Sequence, residues 1–300
     1  MTLIRQLYHS LLPPDLRGRL GVGLQLSYWL RRDQHALVSA LLCHSPFSAG
    51  DVSQRHALTL AAAGTCYTTL LQFLKASDPA FFDDRRLQLQ SSRPGGKEAD
   101  NEHKLKQLLD HYGSDKASKH RYHLLYARAL TKPQAVGRML EIGIGTNNPR
   151  VVSNMSETGT PGASLRAWRA FLANATIHGA DIDRDILFTD ERIQCHHVDQ
   201  LLPDALEQLR SQLGQPMDLI VDDGLHSIQA NLHTLQMGLQ LIQPRGWIFI
   251  EDIYEPQADF FLVLSWILQQ QGIASRLYGF ETPGMVFATS PGRTLADFPG

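Results

Sequence analysis

The sequence predicts an α/β protein: a mostly parallel sheet covered by helices on both faces, preceded by a helical N-terminal region. Three observations carry this. From about Asn101 onward, short apolar runs alternate with stretches of helical period, the pattern of strand–helix–strand crossovers. Several of those runs end in acidic residues, and open α/β sheets bind ligands beyond the carboxyl ends of their strands. A Gly-x-Gly turn, Gly143-Ile144-Gly145, directly follows the first run.

Taken in order, residues 1 to about 87 read as helical, with apolar faces over 36–43 and 58–74. The segment 1–32 holds five Arg and one Asp and reads as a solvated basic face. The polar run 90–102, QSSRPGGKEADNE, has no apolar period and contains Pro94-Gly95-Gly96. It marks a linker, dividing an auxiliary or self-association region, 1–100, from a second domain, 101–300. There a helix over 117–130 precedes strand one, 138–142. A long excursion, 146–163, is rich in Asn, Ser, Thr, Gly and Pro, and Ser164 is a candidate cap for a helix over 165–172. Strands follow over 176–181, 193–198, 217–222 and 247–251, with helices over 204–212, 228–241 and 259–271 between them. Two short strands close the chain, near 275–278 and 285–289.

A formal net charge of −2 over 300 residues argues against a general nucleic-acid binder. Cys43, Cys66 and Cys195 are scattered and odd in number, as suits a reducing cytoplasm. No secretory signal is evident. Residues 57–74 carry no charge but hold four threonines, too polar for an easy bilayer span. The expectation is a cytoplasmic protein without stable membrane insertion.

The richest stretch is 217–254, MDLIVDDGLHSIQANLHTLQMGLQLIQPRGWIFIEDIY. Two strands end in paired carboxylates, Asp222-Asp223 and Glu251-Asp252, with His226 after the first pair. Adjacent strands would bring four carboxylates and an imidazole to one crevice. Such charges repel unless a cation sits among them, and oxygen ligands favour Mg²⁺, Ca²⁺ or Mn²⁺. At the other end of the sheet, Glu141, Asp181 and Asp199 close three successive strands. Asp181 suits ribose hydroxyls, and Asp199-Gln200 could read an adenine edge. The third glycine of a dinucleotide fingerprint is absent, since position 148 is Asn. A carboxylate-lined crevice disfavours pyrophosphate and tolerates a sulfonium, which selects S-adenosylmethionine (SAM) over NAD. Cys195-His196-His197 is not read as a zinc site, because neighbouring strand residues face opposite ways.

The segments HYGSDKASKHRYHLLY (111–126), LEIGIG (140–145), HGADID (178–183), DLIVDDGLH (218–226) and IEDIY (250–254) resemble a known family. It is the metal-dependent, Rossmann-like class I SAM methyltransferases acting on macrolide sugars, the mycinamicin-type 2''-O-methyltransferases, related to the cephalosporin hydroxylase and rhamnosyl O-methyltransferase group. The resemblance implies a mostly parallel sheet with one antiparallel strand. It implies Mg²⁺ or another hard divalent cation on Asp223, Glu251 and Asp252, with His226 as general base. It places Glu141, Gly143 and Gly145 at the methionine end of SAM, Asp181 at its ribose and Asp199 with Gln200 at its adenine. Ser114, Asp115 and Lys116 fall in a segment expected to cover the cofactor. Pro244-Arg245-Gly246 departs from the family's Pro-Gly-Gly turn. The implied activity is O-methylation of a sugar hydroxyl in a glycoside or glycosylated natural product. A catechol-like or other small diol acceptor, and a non-catalytic assembly module with the same fold, stand as alternatives.

Overall fold

The computed structural model describes residues 69, 71–91 and 96–300. The basic start, Cys43, Cys66 and most of the helical reading of 1–87 lie outside the described residues. Among the described residues no helix is long and apolar enough to cross a membrane. The chain divides into two compact units, Met1–Ser77 and Asp78–Gly300, so the polar run at 90–102 falls inside the second.

That unit opens with helix α1, Pro79–Arg85, whose N-terminus is capped by Asp78. Strand β1, Arg86–Gln88, follows, where helix was expected to continue to 87. Helix α2, Lys97–Tyr112, was hidden by its polar composition: it turns only Glu102, Leu105 and Leu109 fully inward. Gly113, at φ 83°, ends it in the left-handed conformation that glycine adopts without strain. The expected helix over 117–130 is two helices, α3 (Asp115–Ser118) and α4 (His123–Ala129). The break falls at Arg121, whose φ is 62°. Tyr122 N donates to Lys116 O at 2.8 Å across it.

The remaining elements lie close to expectation: β2 Arg138–Ile142, α5 Ala163–Phe171, β3 Thr176–Asp181, β4 Thr189–Asp190, β5 Ile193–His197, α6 Pro203–Leu213, β6 Met217–Asp222, α7 Ile228–Leu241, β7 Ile242–Ile253, α8 Glu255–Gln270, β8 Ala274–Gly279 and β9 Met285–Ser290. Ser164 does not cap α5. Gly162 precedes that helix without a side-chain cap, and Ser164 lies buried within it. The sheet order is β1-β8-β9-β7-β6-β2-β3-β5-β4. Pairing is parallel except that β9 runs against β7 and β8, and the two-residue β4 against β5. Strands β2, β3, β6 and the second half of β7 are largely buried on both faces because helices cover both sides, as parallel sheets require. Tyr126 packs edge-on against Trp168 and Phe249, with ring centroids 5.3 and 5.0 Å away. Each such buried side chain contributes roughly 1.5–3 kcal/mol. The layers therefore hold the carboxyl ends of β2, β3, β5, β6 and β7 along one rim.

Candidate active site

Two neighbouring groups of residues occupy this rim. The first surrounds a cavity of about 290 Å³, whose walls include Gly143, Gly145, Asp181, Asp199, Gln200 and Asp223. Gly143 and Gly145 have φ of 84° and 82°. A Cβ on Gly143 would strike the Asp223 carbonyl, and one on Gly145 the Met155 thioether. The Gly-x-Gly turn thus lets two loops close over the strand ends. Asp181 accepts from Ile144 N through Oδ2 and from Asp183 N through Oδ1, both at 2.9 Å. Burial raises its pKa, and those backbone donors oppose the rise. Asp199 Oδ1 accepts from Leu201 N at 2.9 Å.

Gln200 is more committed than its sequence position suggests. Its Nε2 donates to Asp222 Oδ1 at 2.8 Å and to Thr234 Oγ1 at 2.9 Å, and its Oε1 accepts from Leu225 N at 2.8 Å. The side chain ties the 223–226 loop down. Residues 150–153 of the excursion also line the cavity, and Ser153 Oγ donates to Leu225 O at 3.2 Å. No periodicity marked them, because loops carry no hydrophobic period.

The second group lies at the ends of β6 and β7, and only part of the expected carboxylate cluster forms. Asp222 points away, fully buried, accepting from Gln200, from Asn231 Nδ2 at 3.1 Å and from Gly224 N at 3.3 Å. Adjacent strand residues face opposite sides, so one Asp braces the loop while Asp223 meets the cavity. The expected mutual repulsion is relieved from within the chain. Lys116 Nζ, with its residue only 2% exposed, pairs with Asp223 Oδ2, with Glu251 Oε2 at 2.6 Å and with Glu141 Oε1 at 3.2 Å. Burial alone would lower its pKa, but Asp223, Glu251 and Glu141 hold it well above the usual lysine value. Burial pushes Glu251 and Glu141 upward, and Lys116 opposes both rises.

The remaining Glu251 oxygen accepts from Tyr126 Oη. Tyr122 Oη donates to Asp252 Oδ1 at 2.6 Å. His226 Nε2 lies 3.5 Å from Asp252 Oδ2, and His120 Nδ1 lies 3.7 Å from Asp252 Oδ1. His226 and Asp252 adopt φ of 55° and 56°. Such left-handed conformations cost of order 1–3 kcal/mol each and gather at functional sites.

Of the residues expected to hold metal, Asp223 and Asp252 converge with His226: each offers a ligand atom, all within 4.8 Å of one another. Two half-exposed carboxylates beside an imidazole suit a hard cation that keeps part of its water shell. Glu251 stands behind them, bound to Lys116 and Tyr126. Ser114 and Glu141 do not reach the cavity wall. Ser114 caps α3, accepting from Lys116 N at 3.5 Å, and Glu141 faces Lys116. Tyr122, Tyr126 and His120 escaped sequence reasoning. The signal available was the four-residue spacing of the two tyrosines, which places them on one helical face. His178 and His196 pair through ring nitrogens 3.2 Å apart, while His197 turns to Arg184, so no convergent zinc set forms there.

No protein-family model matches the chain. It is 30% identical over 145 residues to 8-demethyl-8-alpha-L-rhamnosyl tetracenomycin-C 2'-O-methyltransferase of Streptomyces olivaceus, a match covering 47% of this chain and 35% of that protein. Among solved structures it resembles the MycE methyltransferase of the mycinamycin biosynthetic pathway in complex with Mg and SAH. There the TM-score is 0.52 and the identity 24%, covering 63% of this chain and 55% of the other. The form of MycE that also holds mycinamycin VI matches with a TM-score of 0.51, 23% identity and coverage of 63% and 55%. The chain thus spans about a third of the curated relative's length and about half of MycE's. Asp78–Gly300 carries the Rossmann-like fold of class I methyltransferases.

Proposed function

We propose that the chain is a SAM-dependent, divalent-cation-assisted O-methyltransferase whose acceptor is a sugar hydroxyl of a glycosylated natural product. The observation that carries this is the meeting of His226 and Asp252 with Asp223, which itself lines the cavity of about 290 Å³. The rhamnosyl O-methyltransferase relative supports a sugar acceptor, and the Mg and SAH held by MycE support the pair of cofactors.

Asp181 and Asp199 would hold the ribose and adenine. Gly143 and Gly145 would admit the methionine portion, and Glu141 would act through Lys116 from behind it. Asp223 and Asp252 would hold the cation, with Glu251 buttressing them. A bound divalent ion lowers the pKa of a coordinated hydroxyl and fixes its direction. His226 Nε2, kept beside Asp252, would take the hydroxyl proton, and the methyl would pass to that oxygen as its bond to the sulfonium breaks, releasing S-adenosylhomocysteine. The fixed strand ends align the two substrates and so contribute the orientation that methyl transfer needs. Of the region 1–100 read as auxiliary and self-associating, only the part up to Ser77 keeps that reading, since Arg86–Gln88 joins the sheet, and the cysteine usage supports a cytoplasmic enzyme.

The test is methyl transfer from SAM to a panel of glycosides and catechols, before and after exhaustive chelation. Glycoside methylation that chelation abolishes and added Mg²⁺ restores is expected. Undiminished activity after chelation, or transfer confined to catechols, overturns the reading.

A further inference from the structure

The 223–226 loop carries the imidazole assigned above as the base, yet among the described residues no protein group aims that ring through its second nitrogen. His226 Nδ1 is buried without a hydrogen-bond partner, and Nε2 lies 3.5 Å from Asp252 Oδ2. A histidine is ordinarily aimed by the hydrogen bond that its other ring nitrogen makes. Here the main chain is held instead. Ser153, His226 and Asp252 adopt φ of 63°, 55° and 56°, and they come together at this rim. Such conformations persist only where the surroundings over-determine them. Side chains from three separate segments do so. Gln200 Oε1 accepts from Leu225 N at 2.8 Å, Ser153 Oγ donates to Leu225 O at 3.2 Å, and Gln257 Nε2 donates to His226 O at 3.4 Å.

We propose that Gln257 and Ser153 are positioning residues for His226, acting on its main chain rather than on its ring. The inference rests on the role given to His226 above. Gln257 lies in the first turn of α8, and its amide spans two elements. Tyr254 N donates to Gln257 Oε1 at 3.1 Å. A backbone N–H can only donate, so that end of the amide is the oxygen and the end facing His226 O is the NH₂. One side chain thereby joins the helix start that follows Asp252 to the carbonyl of residue 226. On the other side, Ser153 is carried by an excursion that is itself anchored. Met155 N donates to Thr146 O at 2.8 Å, and Thr146 Oγ1 to Asp183 Oδ2 at 2.5 Å. Helix α7 cannot replace these donors: Ala230 N turns to Ser227 Oγ at 3.2 Å and Asn231 N to Ser227 O at 2.9 Å. The carbonyls of residues 225 and 226 therefore take their donors from outside that helix. Loss of either donor frees the peptide to leave its left-handed conformation and to carry the ring away from Asp252.

The test is hydrogen–deuterium exchange of the full chain, read by mass spectrometry over residues 223–228, with S-adenosylhomocysteine affinity measured in parallel. Ser153→Gly removes the hydroxyl but places at positive φ the residue that adopts it without strain. A merely structural serine therefore predicts unchanged or slower exchange. Gln257→Glu keeps an acceptor for Tyr254 N, and with it the cap on α8, but removes the donor to His226 O. Each variant is expected to speed exchange of the segment at least about fivefold, for one lost hydrogen bond, with S-adenosylhomocysteine affinity within about threefold of wild type. A variant whose segment exchanges as in the wild type overturns the assignment of its residue. Faster exchange spread equally over β6 and α7 marks a structural role only and also overturns it. On a glycoside that the wild type methylates, both variants are expected to lower kcat at least about tenfold with KM for SAM within about threefold, since a displaced base costs rate and not cofactor binding. A raised KM with unchanged kcat is the contrary result. If the wild type methylates no glycoside, the sugar reading above falls, while the exchange arm still decides this inference.

Discussion

The two halves of the rim hold their carboxylates by different means. Around the cavity, Asp181 and Asp199 are fixed by backbone N–H groups, and Asp199's donor, Leu201 N, is two residues away. At the ends of β6 and β7, Asp223, Glu251 and Asp252 are fixed by Lys116, Tyr126 and Tyr122, separated from them by 107, 125 and 130 residues. Asp199 and one oxygen of Asp181 are met by donors two residues on, and the other Asp181 oxygen by Ile144 N from the neighbouring strand's turn, 37 residues away. Side-chain donors must be delivered by another part of the fold. The first half is therefore fixed within its own and the neighbouring strand-end turn, and the second across more than a hundred residues of chain.

If the halves divide the work as proposed, variants on one side should leave the other intact. The largest effect is expected at Asp252→Asn. It should lower kcat/KM about a thousandfold by weakening cation-held charge stabilisation, with S-adenosylhomocysteine affinity within about threefold by calorimetry. Loss of nucleoside binding in that variant would break the division. His226→Ala should reduce kcat about a hundredfold, the low end for a general base, again without weakening nucleoside binding; near-wild-type turnover would remove His226 from the chemistry. Asp181→Asn should act oppositely, weakening S-adenosylhomocysteine about tenfold for one impaired charge-assisted contact. Its kcat at saturating SAM should be close to wild type, and a fall in kcat instead would show that the halves are coupled.

The smallest effect is on stability. His123 and His178 are both held down to about 4, chiefly by burial. An unfolded chain protonates each near 6.5, while the folded chain refuses the proton until about pH 4. Their contribution to stability is therefore complete above pH 6.5 and is lost as the pH falls toward 4. Urea midpoints measured from pH 7 to 4.5 should decline, and His123→Phe should flatten part of that decline. Midpoints that stay level over this interval would contradict the burial of both rings.

The same division explains what was legible in the sequence. Strands β2, β3 and β6 and helix α7 fell where the sequence pattern placed them, because short, mostly apolar runs bounded by turns and a long stretch of helical period have few other uses. Asp181, Asp199 and the Gly-x-Gly turn could be found from strand ends alone. Asp222 could not be told from Asp223, since adjacent Asp residues differ only in the face they reach. Lys116 was singled out as a covering residue, yet its ammonium lies beneath the carboxylates. That placement depends on the break at Arg121, where a non-glycine residue at positive φ splits what reads as one helix. Helix α2 was invisible because its exterior is polar almost throughout.

Contacts across more than a hundred residues also order events during folding. Loop-closure entropy delays such long-range encounters relative to neighbouring ones. The turn around Asp181 can settle with its own strands, whereas β7 must be in place before Tyr126 and Tyr122 find their acceptors. A nascent or partly unravelled chain would settle the turns around Asp181 and Asp199 before it could organise the acidic end. The acidic end is thereby reserved for molecules that have completed the sheet.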